Sequence, residues 1–485
     1  RLWNGGHANG QSARNHWRGG TTVGQRASNK QRSNTGQSKL NQRVFLWSLT
    51  SSLAGFLFGF DTVVISGAEK AIQGLWALGD FQHGLALSAA LWGTVIGSLI
   101  GGWPTDKFGR KTTLLWIGIL YLVSAIWSGF ATDVFSFMIA RFIGGLGVGI
   151  STVAAPLYIS EISPPEHRGT LTGLFQFNIV FGIMVAFASN YLIGTWGGEN
   201  AWRWMLAVEA VPALIFTAMC FSLPFSPRWL IAVKKDQAAG MSVLKQLRPE
   251  ASDDDVQKTV DEIVASVRAE SDLTPAEPFW SRRLFTPISI AFLVAFFNQL
   301  SGINAVLYFS PRIFELAGMG EQAALLQSIG IGVTNLIFTF VGLYLIDRLG
   351  RRTLLLIGSA GYVLSLGTCA YAFQSETFSI VPACIFAFIA AHAMGQGAVI
   401  WVLISEVFPN EHRAAGQSLG SFTHWIFAAL LTLVFPAVVE TFHPAAIFGF
   451  FCFMMVLQGL WVITMLPETK GISLEQMETK LGIRV

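Results

Sequence analysis

Three ionisable residues in this chain of 485 sit where an ionised group is expensive. Asp61, in Phe58-Gly59-Phe60-Asp61-Thr62, Arg141 and Glu209 all fall inside long apolar runs. A charge at the centre of an apolar span costs about 2.5 to 3.5 kcal/mol even on the mildest scale, so each needs a reason to be there. One reason is structural, a buried ion pair that fixes helix packing. The other is chemical: Asp61 alternates between pairing with Arg141 and carrying a proton, while Glu209 competes for Arg141. We take the proton site of Asp61, Arg141 and Glu209 as the expectation.

Other charges come as a repeat. Asp106-Lys107-Phe108-Gly109-Arg110-Lys111 reappears as Asp347-Arg348-Leu349-Gly350-Arg351-Arg352, and Ser160-Glu161 with Arg168 reappears as Ser405-Glu406 with Arg413. The offsets, 241 and 245 residues, keep order and spacing across half the polypeptide. A duplicated charged loop in an apolar chain marks a membrane protein built from two related halves.

Composition agrees. Hydrophobic residues make up 52% of the chain and charged residues 13%, where soluble domains carry about 25% charged residues; the mean hydropathy is +0.52. Apolar runs long enough to cross roughly 30 Å of hydrocarbon as helix can be placed about twelve times, near 44–66, 83–103, 112–131, 134–155, 169–193, 202–223, 286–309, 322–346, 353–373, 378–405, 414–440 and 445–466. The fold class expected is an all-α membrane protein of twelve transmembrane helices. Lys and Arg concentrate in alternate connections, at 104–111, 156–168, 224–283, 347–352 and 406–413 and at both ends, which the positive-inside rule places in the cytoplasm together with both termini. The opposite connections hold few cations, among them Lys70, Arg203 and Arg312.

The domains that follow are a disordered basic tail (1–43), a first six-helix bundle (44–223), a cytoplasmic helical linker (224–283), a second bundle (284–466) and a cytoplasmic C-terminal tail (467–485). Within the linker, 253–269 reads as an amphipathic helix with Ile263 and Val267 on one side. Cys220, Cys369, Cys384 and Cys452 lie in apolar runs without CxxC spacing, implying neither disulfide nor metal site. Gly144, Gly145, Gly147 and Gly149 lack the Gly-Lys-Ser/Thr of a phosphate cradle and read as close helix packing.

The motifs resemble the sugar porter family of the major facilitator superfamily. They are the paired Asp-x-x-Gly-Arg-Arg/Lys loops, the first opening as Gly102-x-x-x-Asp106, Pro156-x-Tyr158-x-Ser160-Glu161 with Arg168-Gly169, Pro227-Arg228-Trp229-Leu230, and Pro467-Glu468-Thr469-Lys470-Gly471. The resemblance covers about residues 44–475 and implies two pseudo-symmetric six-helix bundles, alternating access and a monosaccharide site between them. A sugar needs amides for paired hydrogen bonds and aromatic rings for its C–H faces. Span 7 carries Asn298-Gln299-x-x-Gly302-x-Asn304-x-x-x-Tyr308, similar to the family's Gln-Gln-x-x-Gly-x-Asn-x-x-x-Tyr; Phe58, Gln176, Asn335, Trp401, His424 and Trp425 fall at other sugar-contact positions the resemblance implies. On an unbroken helix Gln299 and Asn304 would point about 140° apart, so a break near Ser301-Gly302 is expected.

This sequence departs from the family at several places. Asn298 replaces the first Gln, Ile183 a second Gln of span 5, His424 an Asn or Gln, Ala398-Val399-Ile400 a Pro-x-Pro, and Phe225 the Glu of Pro-Glu-Ser-Pro-Arg. The first four alter the pocket or its hinge; the last removes a cytoplasmic charge contact. Asp106, Arg110, Glu161, Arg168, Asp347, Arg351, Glu406 and Arg413 are expected to form the ion-pair networks of a cytoplasmic gate.

The function these features imply is import of a hexose or pentose by proton symport, in the cell membrane, by a monomer that is not an enzyme. The partners are sugar, proton and bilayer; no cofactor and no nucleic acid are implied. A facilitative uniporter and a membrane sugar sensor are the alternatives. Facilitative members of the family tend to carry Asn where this chain has Asp61, which favours coupling.

Overall fold

The apolar runs fold as helices because only a helix satisfies its own backbone inside hydrocarbon. The computed structural model describes residues 41–164, 166–196, 198–272, 278–472 and 474–481; the basic tail, apart from 41–43, lies outside them. Among the described residues twelve helical segments are long and apolar enough to span a membrane: Gln42–Gly67, Asp80–Ile100, Arg110–Phe130, Val134–Ile162, Arg168–Trp196, Gly198–Cys220, Arg282–Tyr308, Glu321–Leu349, Arg351–Gln374, Phe378–Val407, Arg413–Thr441 and Pro444–Met465. We number them spans 1 to 12. The largest departure from expectation is span 4. It continues through Pro156 to Ile162, where Tyr158 donates to the carbonyl of Pro224 at 2.9 Å, so Ser160 and Glu161 stand on a helix end rather than in a loop.

The main packing pairs of the first half recur six spans later. Span 1 lies on span 5, 2 on 4, 3 on 4 and 3 on 6; correspondingly 7 lies on 11, 8 on 10, 9 on 10 and 9 on 12. The halves meet through spans 2 and 11 and through spans 5 and 8, a pair of contacts that the same operation exchanges. The glycines of span 4 make this packing possible: a Cβ on Gly145 would stand 1.8 Å from the carbonyl oxygen of Ala90 in span 2. That is close backbone approach, as small-residue faces in membranes provide. Large apolar side chains on the outer surfaces, such as Leu99, Trp116, Phe221, Leu364 and Phe453, are exposed and face the lipid.

Three spans are interrupted. Span 6 is helical over Ala201–Ala207 and Ala210–Cys220, with Glu209 at the junction; Pro212, three residues on, cannot donate to the carbonyl of Val208. Span 7 breaks after Leu300, where Gly302 takes φ 86° and restarts the chain as Ile303–Tyr308. Span 10 breaks at Gly395, between Val381–Met394 and Gln396–Val407. Each break falls beside a polar residue described below.

Between the halves the chain forms more helix than the sequence suggests. Helices Pro227–Ala232 and Gln237–Leu247 precede the expected one, which covers Asp253–Asp272. The short pair folds by burying Trp229, Leu230, Val243, Leu244 and Leu247. In the third, Val256 and Val260 are buried and Ile263 half-buried, a stripe at i, i+4 and i+7. The side chain of Val267 lies outside the described residues.

Candidate functional site

Arg141 is the largest fully buried side chain of span 4, 1% exposed. It holds Asp61 twice, donating from Nη1 to the carboxylate at 2.5 Å and from Nη2 to the backbone carbonyl at 3.0 Å. Gly144 leaves room for this, since a Cβ there would lie 2.4 Å from Ser124 Oγ and 3.5 Å from Asp61 Oδ1. Glu209, also buried, approaches Asp61 within hydrogen-bonding reach while its Oε1 has no partner among the described residues. No ion pair joins it to Arg141 among those described, so the expected competition for the cation is absent from this conformation. The carboxyls face each other instead. Two carboxylates and one guanidinium carry a net charge of −1, and this dry site is neutral only when one carboxyl holds a proton.

The break in span 7 brings the amides together. With Gly302 in the left-handed region, the Nδ2 of Asn304 donates to Gln299 Oε1 at 2.6 Å, and Gln299 Nε2 donates to Asn298 Oδ1 at 3.1 Å. Only glycine suits the turn: besides its φ, a Cβ would meet the ring of Phe451 at 2.6 Å. Gln299 Nε2 also donates to the ring of His424 at 3.1 Å. That ring packs tilted against Trp401 at 5.2 Å and edge-on against Trp425 at 4.8 Å between centroids, and Trp425 touches Phe58 of the other half at 5.6 Å. Amide donors, acceptors and aromatic faces are therefore adjacent, the combination that a polyhydroxylated ring requires.

Not every expected residue joins this cluster. Gln176 is half-buried on span 5 and Asn335 buried on span 8, neither bonded to the amides. Tyr308 is fully buried and lies within electrostatic reach of Arg141 and Asp61, which sets it beside the charge site. Conversely, sequence reasoning passed over Gln396 and Gln458. Both are fully buried; Asn298 donates to Gln396 at 3.3 Å, Gln396 donates to Gln458, and Gln458 donates to Ser359 at 2.9 Å. A lone amide in a span as apolar as span 12 is the signal that would have found them.

The duplicated motifs pair within their own halves. Arg110 binds Asp106 at 3.2 Å and Glu161 at 3.0 Å; Arg351 binds Asp347 at 3.1 Å and Glu406 at 2.8 Å. Arg168 donates to the carbonyl of Ser160 at 3.1 Å, and Arg413 has Nε and one terminal nitrogen buried without a partner among the described residues. Thus six of the eight gate residues form two local networks of three, one in each half, and Arg168 and Arg413 lie outside them in this conformation.

The halves are instead tied at the opposite end. Helix Glu69–Leu75, after span 1, faces helix Ser310–Leu316, after span 7. Lys70 pairs with Glu315, Arg312 with Glu440 of span 11 at 2.7 Å and with Glu69 at 3.6 Å, and Glu69 with His83 of span 2 at 3.0 Å. Two of the few cations on that face are therefore the ones that bridge the halves.

One departure at the loop end is resolved. Glu468 accepts from the backbone N–H of Arg351, Arg352, Thr469 and Lys470. Burial pushes its pKa up, but these four donors outweigh burial and hold it below the usual carboxylate value. Phe225, its counterpart after span 6, cannot do this; it stacks on Trp229 at 5.6 Å and receives Lys111 Nζ over its ring at 5.4 Å.

Two six-helix bundles related by an internal repeat, with polar sites buried between and within them, define a membrane transporter of the major facilitator fold. The family described as "Sugar (and other) transporter" matches residues 47–481, and the chain belongs to it. The arabinose-proton symporter of Bacillus subtilis is 35% identical over 449 residues, covering 91% of this chain and 95% of that protein. The structure matches the inward open conformation of the E. coli xylose transporter XylE with a TM-score of 0.79 at 30% identity, over 90% of this chain and 99% of that one. The match to the proton:xylose symporter XylE bound to 6-bromo-6-deoxy-D-glucose, over the same shares and at the same identity, has a TM-score of 0.73.

Proposed function

We propose that this protein imports a monosaccharide, a hexose or a pentose, together with a proton, by alternating access across a cell membrane with both termini in the cytoplasm. The observation that carries the reading is the buried trio of Asp61, Arg141 and Glu209, whose charge closes only with a proton, in the same molecule as the amide and aromatic cluster around Gln299. A membrane potential supplies about 2.3 kcal/mol per charge per 100 mV, so one proton at ~150 mV drives roughly 300-fold accumulation of a neutral sugar. Names of relatives that couple sugar to protons support the same assignment.

We read this conformation as the inward-facing one, closed at its outer end. The ties among Glu69, Lys70, Arg312, Glu315 and Glu440 close the outer end, the gate residues pair within each half at the inner end, and the better match is to an inward open relative. In this cycle a proton on the trio loosens the carboxylate of Asp61 from Arg141 while the main-chain bond remains, sugar engages the amides, and the halves rock. Uptake of labelled D-xylose, L-arabinose and D-glucose in transport-deficient cells, with and without a protonophore, tests the reading. Accumulation should collapse to equilibration when the gradient is dissipated; accumulation that survives the protonophore would overturn proton coupling.

A further inference from the structure

The amides of the second half form one directed chain. Ser359 donates its single hydroxyl hydrogen to the carbonyl of Leu355 at 2.8 Å, and a carbonyl can only accept. The hydroxyl oxygen is then left to accept, so Gln458 must offer it an N–H, at 2.9 Å. That turns the Gln458 oxygen toward Gln396, whose N–H fills it; the Gln396 oxygen faces Asn298 at 3.3 Å, the Asn298 oxygen faces Gln299 at 3.1 Å, and the Gln299 oxygen faces Asn304 at 2.6 Å. Reversing any one amide sets two like groups against each other. One backbone carbonyl in span 9 thus dictates the orientation of five amides in spans 7, 10 and 12, and successive bonds polarise each other. All six residues are at least nine-tenths buried, so water does not compete for these bonds.

Two consequences reach the amide and aromatic cluster. Gln299 is fixed as a donor toward His424, whose ring must present a lone pair. Asn304, at the free end, has no partner for its carbonyl oxygen among the described residues and so offers an acceptor to a ligand hydroxyl. The break at Gly395 sets Gln396 at the start of the second helix of span 10, where it reaches both Asn298 and Gln458.

Resting on the monosaccharide reading above, we propose that Gln396, Gln458 and Ser359 are positioning residues that set which sugars the site accepts, by fixing the donor and acceptor pattern of Asn298, Gln299 and Asn304 from behind them. None of the three needs to touch the sugar.

The test compares Gln396→Met, Gln458→Met, the double variant, Ser359→Ala and Ser359→Thr with the wild type. KM and maximal exchange rate are measured in proteoliposomes for D-xylose, L-arabinose and D-glucose, after thermal unfolding confirms folded protein. Each Met variant should raise KM for the preferred sugar about 5- to 10-fold, the worth of roughly one oriented neutral hydrogen bond. Ratios among the sugars should change while the exchange rate changes less than twofold. The double variant should match the worse single one, because a chain is cut only once. Ser359→Thr, which keeps the hydroxyl, should retain wild-type ratios, and Ser359→Ala should not. Unaltered ratios with a lower rate, or additive effects in the double variant, would mean that these residues only hold helices together. A wild type that exchanges none of the sugars, with no quenching of its tryptophan fluorescence by any of them, would instead remove the monosaccharide reading and this inference with it.

Discussion

Arg141 grips Asp61 by two different oxygens, the carboxylate at 2.5 Å and the main-chain carbonyl at 3.0 Å. The second bond survives removal of the carboxylate charge, so neutralising Asp61 need not release Arg141 into the apolar interior. Asp61→Asn should therefore fold and exchange sugar, yet fail to concentrate it. Counterflow and net uptake measured on the same vesicles check this. Retained accumulation against a gradient would show that Asp61 is not the coupling carboxyl.

Glu209 makes a separate claim, because it is buried with one oxygen unpartnered among the described residues while its carboxyl lies within hydrogen-bonding reach of Asp61. Glu209→Gln removes one negative charge and leaves Asp61 and Arg141 as a neutral pair. We expect the dependence of uptake on external pH to weaken, while equilibrium exchange falls less than about threefold, a change worth under ~1 kcal/mol. A pH profile superimposable on that of the wild type would assign Glu209 a packing role only.

The outer ties predict a shift in conformation. Exposed ion pairs contribute about 0 to 1 kcal/mol each, enough in combination to bias two states that differ by a few kcal/mol. Spin labels at Leu75→Cys and Leu316→Cys, both exposed and flanking the ties, should report a short distance in the wild type. Arg312→Gln, which unlinks Glu69 and Glu440 together, should populate a longer one, and 1 M salt should act in the same direction. An unchanged distance distribution would mean that packing between spans 2 and 11 alone sets the state.

Gly302 permits a sharper structural prediction. Alanine in its left-handed conformation costs about 1 to 2 kcal/mol, and its Cβ would press on Phe451. Gly302→Ala should raise the KM for sugar about tenfold or more by withdrawing Asn304 from Gln299. Affinity equal to that of the wild type would show that the break is not what aligns the two amides.

Glu468 offers a pH signature outside the membrane-spanning segments. Its folded pKa lies below the unfolded value, so its contribution is complete above the unfolded pKa and is lost as pH falls through the folded one. Glu468→Gln should lower the unfolding temperature at pH 7 by the equivalent of about 1 kcal/mol, discounted for the partial exposure of the group. The gap should close as the pH drops below the ordinary carboxylate range. A gap of equal size at pH 7 and pH 4 would rule out the charge as its cause.

Much of this was legible in the sequence because it was local or repeated. Each span announced itself as an apolar run, and the repeat of the Asp106 and Asp347 loops foretold the two halves. Even the break at Gly302 followed from helical geometry applied to Gln299 and Asn304. What could not be read was pairing at long range. Nothing near Gln396 points to Gln458, and nothing near Glu69 points to Arg312; these partners meet only after four or more helices have docked. The ion-pair networks of the gate residues were expected from the repeat, but which of those residues pair could not be read from it.

The helix Ile303–Tyr308 has a consequence for transport efficiency. At six residues, about 9 Å, it is too short to persist without its surroundings. Yet it carries Asn304 against Gln299 at one end and Tyr308 within reach of Arg141 at the other, and it runs on through Phe309 into the helix that holds Arg312 and Glu315. Under the proposed symport, a tilt about Gly302 would displace the amide cluster, the buried charges and the outer ion pairs together, and would link cargo, proton and outer closure through one short segment.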